Sequence, residues 1–81
     1  MQLASVGNAE ARHYLGLMQK DGLGMPKDSG RALSWFKKSA SQGYSESSYQ
    51  ISKMYFAGEG VKQDAKEAVQ WLTKAAEQGS V

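Results

Sequence analysis

Apolar residues along this chain return every three or four positions, in four separate stretches. Over residues 9–20, Ala11, Leu15 and Met18 share one face at helical spacing. Over residues 46–56, Ile51, Met54 and Tyr55 form the matching stripe. Two more helices are expected to open at Asp28 and Asp64. They carry Ala32, Trp35, Phe36 and Ala40, and Ala68, Trp71, Leu72 and Ala76, each set along one stripe. No segment sustains the apolar–polar alternation of a strand, so the pattern predicts an all-α chain. The expected ends are also marked. Asn8 and Ser45 suit the N-caps of the first and third helices, and Asp28 and Asp64 those of the second and fourth. Glu67, three residues after Asp64, resembles a capping box. Gly43 and Gly79 suit the left-handed position just past a helix end.

The four stretches are two copies of one unit. A shift of 36 residues aligns 45 pairs, of which 14 are identical, both tryptophans included. Gly22, Gly24, Asp28, Ala32, Trp35 and Gly43 coincide with Gly58, Gly60, Asp64, Ala68, Trp71 and Gly79. A period in this range is the signature of a solenoid of repeated supersecondary units. It also decides how the glycine loops DGLGMPKD (21–28) and AGEGVKQD (57–64) are read. A phosphate-cradling loop needs a preceding strand and a Lys-Ser/Thr pair. A calcium loop needs acidic ligands at alternate positions and a closing glutamate. Neither pattern is present, so the loops are expected to be tight turns between antiparallel helices, with Pro26 fixing the approach to the second. Ala32 and Ala68 lie one turn before the tryptophans, where a small side chain lets a neighbouring helix approach closely.

Composition narrows the chemistry. The chain has 81 residues, no cysteine and a net charge of +2, and its longest basic run is Lys37-Lys38. Scattered charge of this kind lacks the clustered stripe of a nucleic-acid footprint. No apolar run approaches the roughly 20 residues of a membrane span, and no signal-peptide pattern opens the chain. His13 is the sole histidine. With no cysteine and no second histidine, the sequence offers neither a metal-ligand set nor an evident nucleophile–base pair. His13 is expected to be solvated or to face a groove. No enzyme activity and no cofactor are expected.

The motifs GEGVKQD, AVQW and KAAEQG of the second unit, with ARHYLG, GLGMPKD and ALSWFKKSASQG of the first, resemble the SEL-1-like repeat family. This family is related to the tetratricopeptide repeats, whose period is about 34. The resemblance covers nearly the whole chain. It assigns residues 8–43 to a first repeat, 44–81 to a second and 1–7 to the end of a preceding one. Ser39, Gln19 and Ser52 depart from the alanine, tyrosine and glycine usual in the family, and they are expected to loosen the packing motif. The resemblance implies an α/α right-handed superhelix that serves as a scaffold or adaptor. It also implies a bacterial setting, in the cytoplasm, the periplasm or outside the cell.

The expected ligand is a protein or peptide, received on the concave surface lined by the first helix of each unit. Candidate contact residues there are Arg12, His13, Gln19 and Lys20 in the first unit, and Ser48, Tyr49, Lys53 and Phe56 in the second. Tyr49 lies on the opposite side of its helix from Ile51, and exposed Tyr and Arg are common interface anchors. Trp35, Trp71, Phe36, Tyr14 and Tyr55 are expected in the core. Two units fall short of the three or so that a solenoid usually needs. The chain is therefore expected to belong to a longer array or to associate with itself through uncovered ends. A purely structural spacer is the alternative function.

Overall fold

The computed structural model describes residues 8–79, which form four helices and no strand. They are α1 (Ala9–Asp21), α2 (Ser29–Ser41), α3 (Ser45–Ala57) and α4 (Ala65–Glu77). The expected remnant of a preceding repeat at residues 1–7 lies outside the described residues. Each helix packs on the next in chain order, giving an α/α solenoid of two helix pairs. Among the described residues, no helix is long and apolar enough to cross a membrane.

The caps explain why the helices start and stop where they do. Asn8, Asp28 and Asp64 each accept a hydrogen bond from the backbone N–H three residues on, at 3.0, 3.0 and 3.1 Å. Each thereby satisfies a donor that the helix itself leaves orphaned. The expected cap at Ser45 is not found. α3 starts one residue earlier than expected, and Tyr44 holds the cap position with no side-chain bond. The Tyr44 ring instead packs 5.0 Å from the His13 ring, so packing there replaces capping. α1 and α3 end alike. Gly22 and Gly58 adopt φ of 72° and 71°, and Leu23 and Glu59 donate to the carbonyls of Met18 and Met54. Beyond each turn, Asp28 N–H donates to Gln19 O and Asp64 N–H to Tyr55 O, both pairs in the same register of their units.

The core joins both units. Ala32, Leu33, Phe36 and Ala40 of α2 cluster with Ile51, Met54 and Tyr55 of α3 and Ala68 of α4. Leu17, Val61 and Trp71 pack at its margin. Several expectations are corrected here. Tyr14, expected inside, is 48% exposed, because the α1 face beside it is lined by His13. Leu15, Met18 and Trp35 are only half-buried. Leu72 and Ala76 are exposed, whereas Ala75 is buried. Ser39 does not loosen the packing. It is fully buried, and its hydroxyl donates to the Ala9 carbonyl at 2.7 Å, fastening the end of α2 to the start of α1.

Two close approaches depend on glycine. Gly16 of α1 lies under the Phe36 ring, where an added Cβ would stand 2.7 Å from the nearest ring carbon. Gly60, at φ 74°, lies on the first residues of α2, where a Cβ would come within 2.6 Å of the Ser29 backbone. The glycine of the second loop therefore makes the turn and lets the second unit seat against the first.

Candidate protein-interaction surface

The expected contact residues separate into two groups. His13 and Ser48 belong to the interior. His13 is 5% exposed and is ringed by Tyr14, Phe36 and Tyr44, with centroids 5.7, 5.4 and 5.0 Å away. The expectation of a solvated or groove-facing histidine is thus corrected. Its Nδ1 lies 2.7 Å from Ser47 Oγ, a pairing across the two units that spacing alone does not reveal. Burial holds the His13 pKa below the ordinary 6.5, and the charges of Glu46 and Glu10 oppose that shift. Burial also raises the neighbouring Tyr44, to about 12, with a hydrogen bond to Glu46 adding to it. Ser48 is fully buried and donates to Gln78 Oε1 at 2.7 Å.

The pairing of His13 with Ser47 has the distance of a base and a nucleophile. Its surroundings do not suit catalysis. Ser47 has no exposed surface, and aromatic rings close over the imidazole. An attacking hydroxyl needs space beside it for a reacting carbon and donors for the developing charge. Ser39, Ser47, Ser48 and Ser52 are all buried, and each has a hydrogen-bond partner: Ala9 O, His13, Gln78 and Tyr49 O. Small bonded hydroxyls of this kind let helices approach closely without leaving orphaned polar groups.

The other candidates lie at or near the surface. Arg12 is half-buried, and its Nη1 donates to Gln42 Oε1 at 3.3 Å. That contact occupies the same register in the first unit as Ser48–Gln78 in the second. Gln19 is half-buried, with its Oε1 enclosed and without a hydrogen bond among the described residues. Lys20 Nζ lies 3.9 Å from Asp21 Oδ1 and 3.9 Å from Glu59 Oε1, so its charge faces the second loop. Tyr49, Lys53 and Phe56 are exposed along α3, and Lys53 Nζ sits 5.2 Å from the Tyr49 ring centre. These three follow at intervals of four and three residues, which places them on one helix face. The structure thus brings Tyr49, Lys53 and Phe56 together and places His13 and Ser48 in the seam.

Two helix pairs, sharing one core and presenting aromatic and cationic side chains outward, define an all-α repeat scaffold. The Sel1 repeat model matches residues 9–44 and 45–80, and the chain belongs to that family. Its proteins are generally non-enzymatic scaffolds for protein interaction. Three solved structures place it further. The Sel1 repeat protein from Oxalobacter formigenes superposes with a TM-score of 0.87 and 35% identity, over 89% of this chain and 30% of that one. The protective antigen c5321, present in uropathogenic Escherichia coli strains, gives 0.84 and 41%, over 88% of this chain and 15% of that one. Helicobacter pylori cysteine rich protein B gives 0.85 and 25%, over 89% and 54%. The chain therefore spans about half or less of the length of these relatives. A comparison with curated protein sequences found no match.

Proposed function

We propose that this chain is a non-catalytic scaffold that receives a protein or peptide on the face of its first helices, centred on Tyr49, Lys53 and Phe56. The carrying observation is the exposed aromatic–cation cluster on α3. Phe56 and Tyr49 are 42% and 44% exposed, although α3 has a buried face of its own in Ile51, Met54 and Tyr55. A helix with one face in the core and a second aromatic face in water fits the recognition of an extended or helical segment. Tyrosine suits such contacts because its large ring carries a polar end. A surface of two units is small, so binding is expected to be weak alone and strengthened by multivalency. The closed surroundings of Ser47 support a non-catalytic role.

The test is a paired capture from a lysate of the source organism. One bait is this chain, and the other carries Tyr49→Ala and Lys53→Ala, with circular dichroism confirming the fold of both. A protein retained by the first bait and lost by the second supports the reading. Identical sets on both baits would remove it.

A further inference from the structure

The 13 residues of α2 include Arg31, Lys37 and Lys38 and no acidic residue. All three cations are exposed, and none is in an ion pair among the described residues. The carboxylates near the helix start are engaged elsewhere. Asp28 accepts from the Arg31 backbone N–H as the cap, and Glu59 meets Ser29 and Lys20. Lys37 Nζ donates to Tyr55 OH at 3.3 Å, and Lys38 Nζ sits 4.9 Å from the Trp35 ring centre. Neither a phenol nor an indole balances the charge. Arg31, Ser34 and Lys38 follow at intervals of three and four, which sets them on one ridge, with Lys37 on the flank toward α3. The fold does not require this charge. α4 holds Glu67, Thr73 and Lys74 at the equivalent positions. A cation near a helix C-terminus meets the negative end of the dipole, which accounts for Lys38 and Lys74. Arg31 stands in the first turn, where a cation opposes that dipole. The face is also open with its neighbours in place, because α2 packs on both α1 and α3, the helices before and after it.

From this uncompensated charge we infer that the outer face of α2 is a second docking surface, which takes an acidic segment of a partner protein. Carboxylates of that segment pair with Arg31 and Lys38 along the ridge and with Lys37 at its flank. The planar guanidinium of Arg31 suits a carboxylate in a two-point contact. Trp35, half-buried beside the ridge, offers the same segment an apolar edge. A protein fits this face better than a nucleic acid or a membrane does. Anionic lipid is recognised by clusters of about four to eight cations, and nucleic acid by a continuous basic field. Here the basic field stops at α4, where Glu67 and Glu77 stand among Lys66 and Lys74. The inference is independent of the proposed ligand face on α3.

Fluorescence anisotropy of a labelled poly-glutamate peptide of about ten residues tests it, at low ionic strength, where exposed charges are least screened. Two variants that lose the same positive charge are compared. One carries Arg31→Gln, Lys37→Gln and Lys38→Gln. The control carries Lys62→Gln, Lys66→Gln and Lys74→Gln. All six side chains are exposed, so circular dichroism should be unchanged in both. The α2 variant should bind the peptide about tenfold more weakly than the unaltered chain, and the control within about twofold of it, as the loss of three exposed ion pairs implies. Equal weakening in both variants would overturn the inference, since binding would then follow net charge alone. So would an absence of peptide binding. Tighter binding of a single-stranded oligonucleotide or of phosphatidylserine vesicles, lost in the α2 variant, would also overturn it and assign the face to a phosphate-bearing partner.

Discussion

Gly16 and Phe36 form a pair that neither residue explains alone. The ring fills the space a Cβ would occupy at position 16, and Phe36 is fully buried, so it cannot swing away cheaply. Gly16→Ala should therefore lower stability by about 1–3 kcal/mol, through overpacking. The second unit holds Ser52 and Leu72 at the same two positions, a larger residue than Gly16 and a smaller one than Phe36. Adding Phe36→Leu to Gly16→Ala should cost less than the two single changes together, a coupling that a double-mutant cycle of denaturant midpoints reads directly. His13 gives a second prediction at this scale. Burial lowers its pKa below 6.5, against the pull of Glu46 and Glu10, so the unfolded chain binds this proton more readily than the folded one. Stability from this residue is complete above the unfolded value and is lost as pH falls below it toward the folded pKa. The urea midpoint should be lower at about pH 5 than at about pH 8, and His13→Gln should shrink the difference. An equal difference in that variant would assign the acid sensitivity to other groups.

Helix ends were legible in the sequence where a side chain caps the backbone, and less so where packing decides. Asp28 and Asp64 close their helices as their type and spacing imply, and replacing either with alanine should cost about 1 kcal/mol in a thermal or denaturant melt. Ser45 looked equally suitable, yet Tyr44 takes its place because the ring packs on His13 from the preceding unit. Periodicity located the stripes on α2 and α3 well. It missed Leu33, and it put Tyr14 inside, because it cannot weigh which neighbour covers a helix flank. Ala32 was readable as a small contact residue, and the structure buries it completely. Ala32→Leu is expected to cost about 1–3 kcal/mol by overpacking, and an unchanged midpoint would contradict that contact. Of the candidate site, Tyr49 came from helical geometry, opposite Ile51, whereas Lys53 and Phe56 came from the expectation that first helices line the concave surface. The burial of His13 and Ser48 could not, since their partners Ser47 and Gln78 lie about one repeat away in sequence.

At the scale of the whole molecule, the two repeats are bound by a polar seam as well as an apolar core. Gln78 accepts from Ser48 within its own unit and donates to the Ala40 carbonyl of the other at 3.2 Å. Glu59 reaches back to Ser29 and Lys20, and His13 to Ser47. A scaffold made this way offers one platform rather than two loosely tethered pairs. The central claim is therefore that both units unfold together. Each unit carries one tryptophan in the same register, with Lys38 Nζ 4.9 Å above Trp35 and Lys74 Nζ 5.3 Å above Trp71. Trp71→Phe leaves fluorescence reporting on the first unit, and Trp35→Phe leaves it reporting on the second. The measurement to make is urea unfolding of each variant, followed by fluorescence and by circular dichroism. The account predicts that in each variant the local fluorescence transition coincides with the global loss of helix. A fluorescence transition displaced from the helical one, with one unit melting while the other persists, would contradict it.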